Sequence, residues 1–168
     1  SCGSIQQTFM RYFTDSQGFF YRPGTKIYFY LMYSLFWLNP VMYHVVSVLL
    51  HASIATVMFF LSARILQSKL FAGILGAIFL SLSTLFETIL WISATGHLLS
   101  IALVMLSILL FTYWMKTRSV ILLVGSVLAA AIAPLFHEYA VVTPLLILIT
   151  ALLANENKKQ LETVKRMW

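Results

Sequence analysis

A few polar side chains, set in a chain that is otherwise strongly apolar, are the groups able to do chemistry. Arg22 is flanked by Tyr21 and followed by Lys26. A guanidinium grips a phosphate or carboxylate through parallel N–H donors, so this cluster offers an anion site. The same cations also suit snorkelling to a headgroup layer, and the sequence leaves both readings open. His137-Glu138 is an acid beside a histidine between two apolar runs. Such a pair is either a solvated turn or a site at a membrane boundary. Glu87 ends an apolar run, where it either caps the segment that follows or faces a site. His97 opens another run and is expected at an interface. His44 and His51 lie seven residues apart, on nearly one face of a helix. His51 is roughly 16 Å along that helix axis. It should face inward, as a neutral imidazole bonded across helices or as a ligand or proton carrier. The histidines lack HxxxH, HExxH or CxxC spacing, so no metal site is assigned. No Gly-rich phosphate loop, nucleophile elbow or nucleic-acid module is found.

Long apolar helices must position these groups. Of the 168 residues, 61% are hydrophobic and 10% charged, and the mean hydropathy is +0.91. Soluble domains are usually about a quarter charged, so an integral membrane protein is expected. The net charge of +6 does not point to nucleic acid, because the basic residues sit in short runs between apolar segments. The expected fold is all-α and polytopic, with about five membrane helices and an N-terminal interfacial juxtamembrane segment.

Residues 1–39 read as an extracytoplasmic loop with interfacial helices. Its 25–38 stretch is rich in Tyr, Phe and Trp, which favour the headgroup region. It reads as a juxtamembrane helix, with a shallow re-entrant helix as the alternative. Residues 40–154 read as the transmembrane bundle. Asn39 as N-cap and Pro40 as first residue open a helix of some 27 residues, roughly 40 Å. Further apolar runs cover about 70–86, 98–114, 120–136 and 140–154, with Gly73 and Gly76 suited to close helix contact. Residues 155–168 read as a cytoplasmic tail or linker. Arg64, Lys69, Lys116, Arg118 and the cationic tail should be cytoplasmic, which leaves 1–39, 87–97 and 137–139 together on the other face. The opening on Ser1 and a half-polar loop is what a piece of a longer protein would show. The single Cys2 allows no internal disulfide.

The stretch YRPGTKIYFYLMYSLFWLNPVMYHVVSVLLH resembles the GT-C fold glycosyltransferases that use lipid-linked sugars. The likeness is to the protein O-mannosyltransferase-like branch, which includes the transmembrane tetratricopeptide-repeat O-mannosyltransferases and bacterial relatives. Tyr21, Arg22, Pro23, Leu35, Phe36, Leu38, Asn39, Pro40, Tyr43, His44, Leu49, Leu50 and His51 match that pattern, while Trp37 and Ser47 replace the family's Gly and Asn. A second stretch, FETILWISATGHLLS, matches at Glu87, Trp91, Ile92, Ser93, Leu98, Leu99 and Ser100, with Ala94-Thr95 where the family often has Gly-Arg. A third, FHEYAVVTPLLIL, matches at Glu138, Ala140, Val141, Pro144 and Leu145, with His137 in place of Lys.

The resemblance implies transfer of a sugar from a polyprenyl-phosphate carrier to a protein or glycan acceptor on the extracytoplasmic face. The membrane would be a bacterial inner membrane or an ER-type membrane. The donor is then a lipid-linked substrate; no resident cofactor is implied, and divalent metal dependence stays open. The family's catalytic base lies after a first span, which places it upstream of residue 1 here. Arg22, with Tyr21 and Lys26, would contact the lipid phosphate. His44, Glu87, His97, His137 and Glu138 would form the supporting shell. The competing reading is a non-catalytic membrane module of a transporter or assembly complex, in which the same residues are structural.

Overall fold

In a computed structural model of the chain, residues 22–81 and 90–153 are described. Among them the structure is all-helical. Helix α1 spans Pro23–Phe36, α2 Pro40–Leu66, α3 Lys69–Ser81, α4 Thr95–Thr117 and α5 Val120–Ile132. Short 3-10 turns occupy Ile92–Ala94, Ala133–Leu135 and Glu138–Val142, and a last helix, α6, covers 143–153.

The boundaries follow from local chemistry. Asn39 Oδ1 accepts from the Val41 N–H at 3.1 Å, and Pro40 takes the first helical position. This is the expected start of α2: a side-chain oxygen satisfies an orphan donor, and a residue without an N–H sits where none is needed. Helices α2 and α4 both stop at a left-handed residue, Gln67 (φ 54°) and Arg118 (φ 57°). The Arg118 N–H folds back onto the Trp114 carbonyl at 2.7 Å. A serine, Ser68 or Ser119, then precedes the next helix. The run expected as one helix from 120 to 136 leaves α geometry after Ile132. Pro134 lacks an N–H and crowds the preceding turn, so the chain tightens to 3-10 there.

The helices alternate in direction. His51 stacks on Phe79 and Gly76 faces Ala55, so α2 and α3 are antiparallel. Ser107 and Ser126 each donate to the other's carbonyl, at 2.8 and 2.9 Å, and Ser100 donates to the Ala133 carbonyl at 3.2 Å, so α4 and α5 are antiparallel too. Ser47 meets Thr95 at 3.3 Å and Arg64 reaches the Thr112 carbonyl at 2.8 Å, so α2 and α4 run parallel in constant register. Buried hydroxyls paired across helices and small residues at the contacts are the usual means of packing apolar helices against one another. Gly76 lies at such a contact. Gly73 does not: a Cβ there would meet nothing within 4 Å among the described residues, which corrects its expected role.

Among the described residues, two helices are long and apolar enough to cross a membrane, Pro40–Leu66 and Ile92–Thr117; Lys69–Ser81, Val120–Leu135 and Glu138–Leu153 are shorter apolar helices. The alternation separates two ends. One holds the starts of α2 and α4 and the 133–142 segment. The other holds Arg64, Lys69, Lys116 and Arg118.

Candidate functional site

The site is assembled where three distant segments meet at the first of these ends. The start of α1 is pressed against the chain at 135–136. A Cβ on Gly24 would lie 2.9 Å from the Leu135 carbonyl oxygen, and one on Gly96 would lie 2.7 Å from Thr25 Oγ1. Thr25 donates to the Phe136 carbonyl at 3.1 Å. Glycine at 24 and 96 therefore allows an approach that any side chain would block. The contact fixes Arg22, just before α1, over the turn that carries His137 and Glu138.

Arg22 and Glu138, 116 residues apart, form a two-pronged pair. Nε donates to Oε2 at 2.9 Å and Nη2 to Oε1 at 2.8 Å. This fork geometry is the strongest form of the guanidinium–carboxylate interaction. The Arg22 hydrogen bonds are the main reason the Glu138 carboxyl is held down to about 2 from its usual 4.5. Both side chains keep solvent access, at 30% and 49% exposure, so the pair lies at the exposed surface of this end, the mouth of the helix bundle, rather than in the core.

Next to it three rings cluster. His137 lies 4.0 Å from the His97 ring and 4.3 Å from the Tyr139 ring, centroid to centroid. Tyr139 donates its hydroxyl to the His97 carbonyl at 2.9 Å, which joins the start of α4 to the 138–142 turn. His137 is buried, and its Nδ1 sits 3.6 Å from Glu138 Oε2, beyond hydrogen-bond range. Burial is the first reason its basicity falls below the ordinary imidazole value; nearby His97 and Arg22 add to the fall, and Glu138 opposes it.

The structure thus brings together Arg22, His97, His137 and Glu138. Lys26 lies one turn further along α1, half-buried, its N–H on the Arg22 carbonyl at 3.3 Å. His44 is half-buried on α2, a neighbouring element. His51 is buried against Phe79, with Nδ1 lacking a hydrogen-bond partner among the described residues; the cross-helix bond considered for it is not made by that atom. Tyr21 and Glu87 lie outside the described residues. Among the described residues, no group of three His, Cys, Asp or Glu is placed to hold a metal ion.

Two contributors escaped the sequence reading. Tyr139 was legible only as a neighbour of His137-Glu138, and Thr25 only as the residue that opens the aromatic 25–38 stretch. Neither type signals a site until the fold shows which carbonyl its hydroxyl meets. Compared with protein-family models, with curated proteins and with solved structures, the chain matches none.

Proposed function

We propose that the chain is part of the membrane domain of a GT-C type glycosyltransferase, crossing an inner or ER-type membrane about five times. It would move a sugar from a polyprenyl-phosphate carrier to an acceptor on the extracytoplasmic face. The observation that carries the reading is the Arg22–Glu138 pair. It joins the first and third of the resembling sequence stretches, and His97 from the second lies against the neighbouring His137. Segments this far apart in sequence, each polar in an apolar chain, converge on one mouth.

The membrane reading is supported by how little of the two long helices is covered. The most apolar windows of Pro40–Leu66 and Ile92–Thr117 are 22% and 39% buried, whereas a core helix of a soluble protein is mostly buried. Val45, Val48, Leu49 and Phe60 of α2 and Leu106 of α4 are exposed, as lipid-facing residues are. The separation of Arg64, Lys69, Lys116 and Arg118 from the mouth fits a cytoplasmic end opposite an extracytoplasmic site.

In this reading Arg22 stabilises the charge that develops on the lipid phosphate as the sugar leaves. Glu138 holds the Arg22 fork until the phosphate competes for it, and the buried neutral His137 and Tyr139 support the turn from behind. Transfer measured in the full reading frame, with a polyprenyl-phosphate-linked sugar as donor, tests this. Arg22→Ala and Glu138→Ala are each expected to lower transfer by at least about tenfold, the scale of one lost charge-stabilising contact. Near-normal transfer in both would remove the assigned roles.

One observation favours the second reading, a non-catalytic membrane module. Two Arg22 donors are already satisfied by Glu138, which is what a purely structural latch requires.

A further inference from the structure

The end opposite the mouth has an organisation of its own. Two helical hairpins, α2–α3 and α4–α5, lie side by side there and turn in the same way. Each first helix has a cation in its last turn, Arg64 or Lys116. Each ends on a left-handed residue, Gln67 or Arg118, followed by a serine. The constant register between α2 and α4 places Lys116 level with the Ser68-Lys69 turn. Lys69, Lys116 and Arg118 are exposed. Among the described residues this end carries no carboxylate.

Two of the cations are set against aromatic rings. The Arg64 guanidinium lies 4.3 Å from the Tyr113 ring centroid while its Nη2 binds the Thr112 carbonyl, and that of Arg118 lies 5.1 Å from the Trp114 ring. Such stacking fixes a guanidinium in place and leaves its charge undiminished. The flanks of both turns are apolar and bare: Leu66, Leu70 and Phe71 beside the first turn, Val120 and Ile121 beside the second, from 48% to 82% exposed. A cationic rim above an apolar shelf matches the two halves of one ligand, a phosphate head and its acyl chains.

We propose that this end is a binding surface for anionic phospholipid headgroups, with Lys69, Lys116 and Arg118 as the headgroup contacts. Charge complementarity selects the occupant: a zwitterionic lipid offers the same acyl chains but no net charge for the rim. Anionic lipid also populates the cytoplasmic leaflet, the side to which this end is assigned above. The inference rests on the membrane reading and is independent of glycosyl transfer.

The test uses the full chain in nanodiscs of phosphatidylcholine, alone or with phosphatidylglycerol, and reads the thermal unfolding midpoint together with lipid retained in native mass spectrometry. Phosphatidylglycerol is expected to be retained preferentially and to raise the midpoint, with both effects weakening at high salt. Each cation changed to Gln should weaken retention about fivefold. The triple variant Lys69→Gln, Lys116→Gln, Arg118→Gln should lose the preference, whereas Lys69→Arg with Lys116→Arg keeps it. Equal retention of the two lipids by the unaltered chain, or an undiminished preference in the triple variant, would overturn the proposal. Loss of transfer in the Arg22 variant alongside either result would leave the glycosyltransferase reading standing.

Discussion

Glu138 and His137 sit side by side, and their charges are governed in opposite ways. Arg22 pins the Glu138 carboxylate, whose folded value of about 2 lies below its ordinary 4.5. The stability from that pair is therefore present above about pH 4.5 and is lost as pH falls towards 2. His137 is depressed chiefly by burial. The unfolded chain then takes up the proton first, so its contribution is complete above the ordinary imidazole value near 6.5 and falls away below it. Burial lowers neighbouring His97 as well, so unfolding followed between pH 7 and 5 reports this histidine pair and not Glu138, and the His137 share is the part its substitution removes. His137→Gln is expected to flatten that part of the curve by at most about 1.4 kcal/mol per pH unit, the limit for one proton. An unchanged slope would show that His137 takes up its proton alike in the folded and unfolded chain, against the burial that lowers its basicity.

At the scale of elements, glycine carries the closest contact. The added Cβ of Gly96→Ala would press on Thr25, which is held by the Phe136 carbonyl. Overpacking of this kind costs about 1–3 kcal/mol and should part α1 from α4. Gly73→Ala meets nothing within 4 Å among the described residues and is expected to stabilise by about 0.5–1 kcal/mol through backbone entropy. Unfolding midpoints of the two variants check the contrast; a neutral Gly96→Ala would mean that α1 is not docked as described. The sequence announced the start of α2 fully, because Asn39-Pro40 is a local signal. It announced the apolar runs as well, because composition alone reveals them. It misplaced Gly73, since spacing shows which residues are small but not which neighbour they meet. It showed Arg22 and Glu138 as separate oddities, because no local pattern records that residues 116 apart share two hydrogen bonds.

For the whole molecule, alternation of the helices sets the topology. Cysteine labelling in a Cys2→Ser background tests it. Ser93→Cys lies at the mouth and Gln67→Cys at the cationic end, both exposed. In intact cells an impermeant maleimide is expected to label the first and spare the second until the membrane is opened. Labelling of both from one side would contradict a spanning bundle. Exchanging the pair separates donor-phosphate binding by Arg22 from a purely structural latch. Transfer in the full reading frame is compared for Arg22→Glu, Glu138→Arg and the double exchange, each confirmed as folded by its unfolding midpoint. The double exchange should recover the folded latch and yet leave transfer as low as in Arg22→Glu alone. Transfer restored to near the original rate by the double exchange would mark the pair as structural and rule out phosphate binding by Arg22.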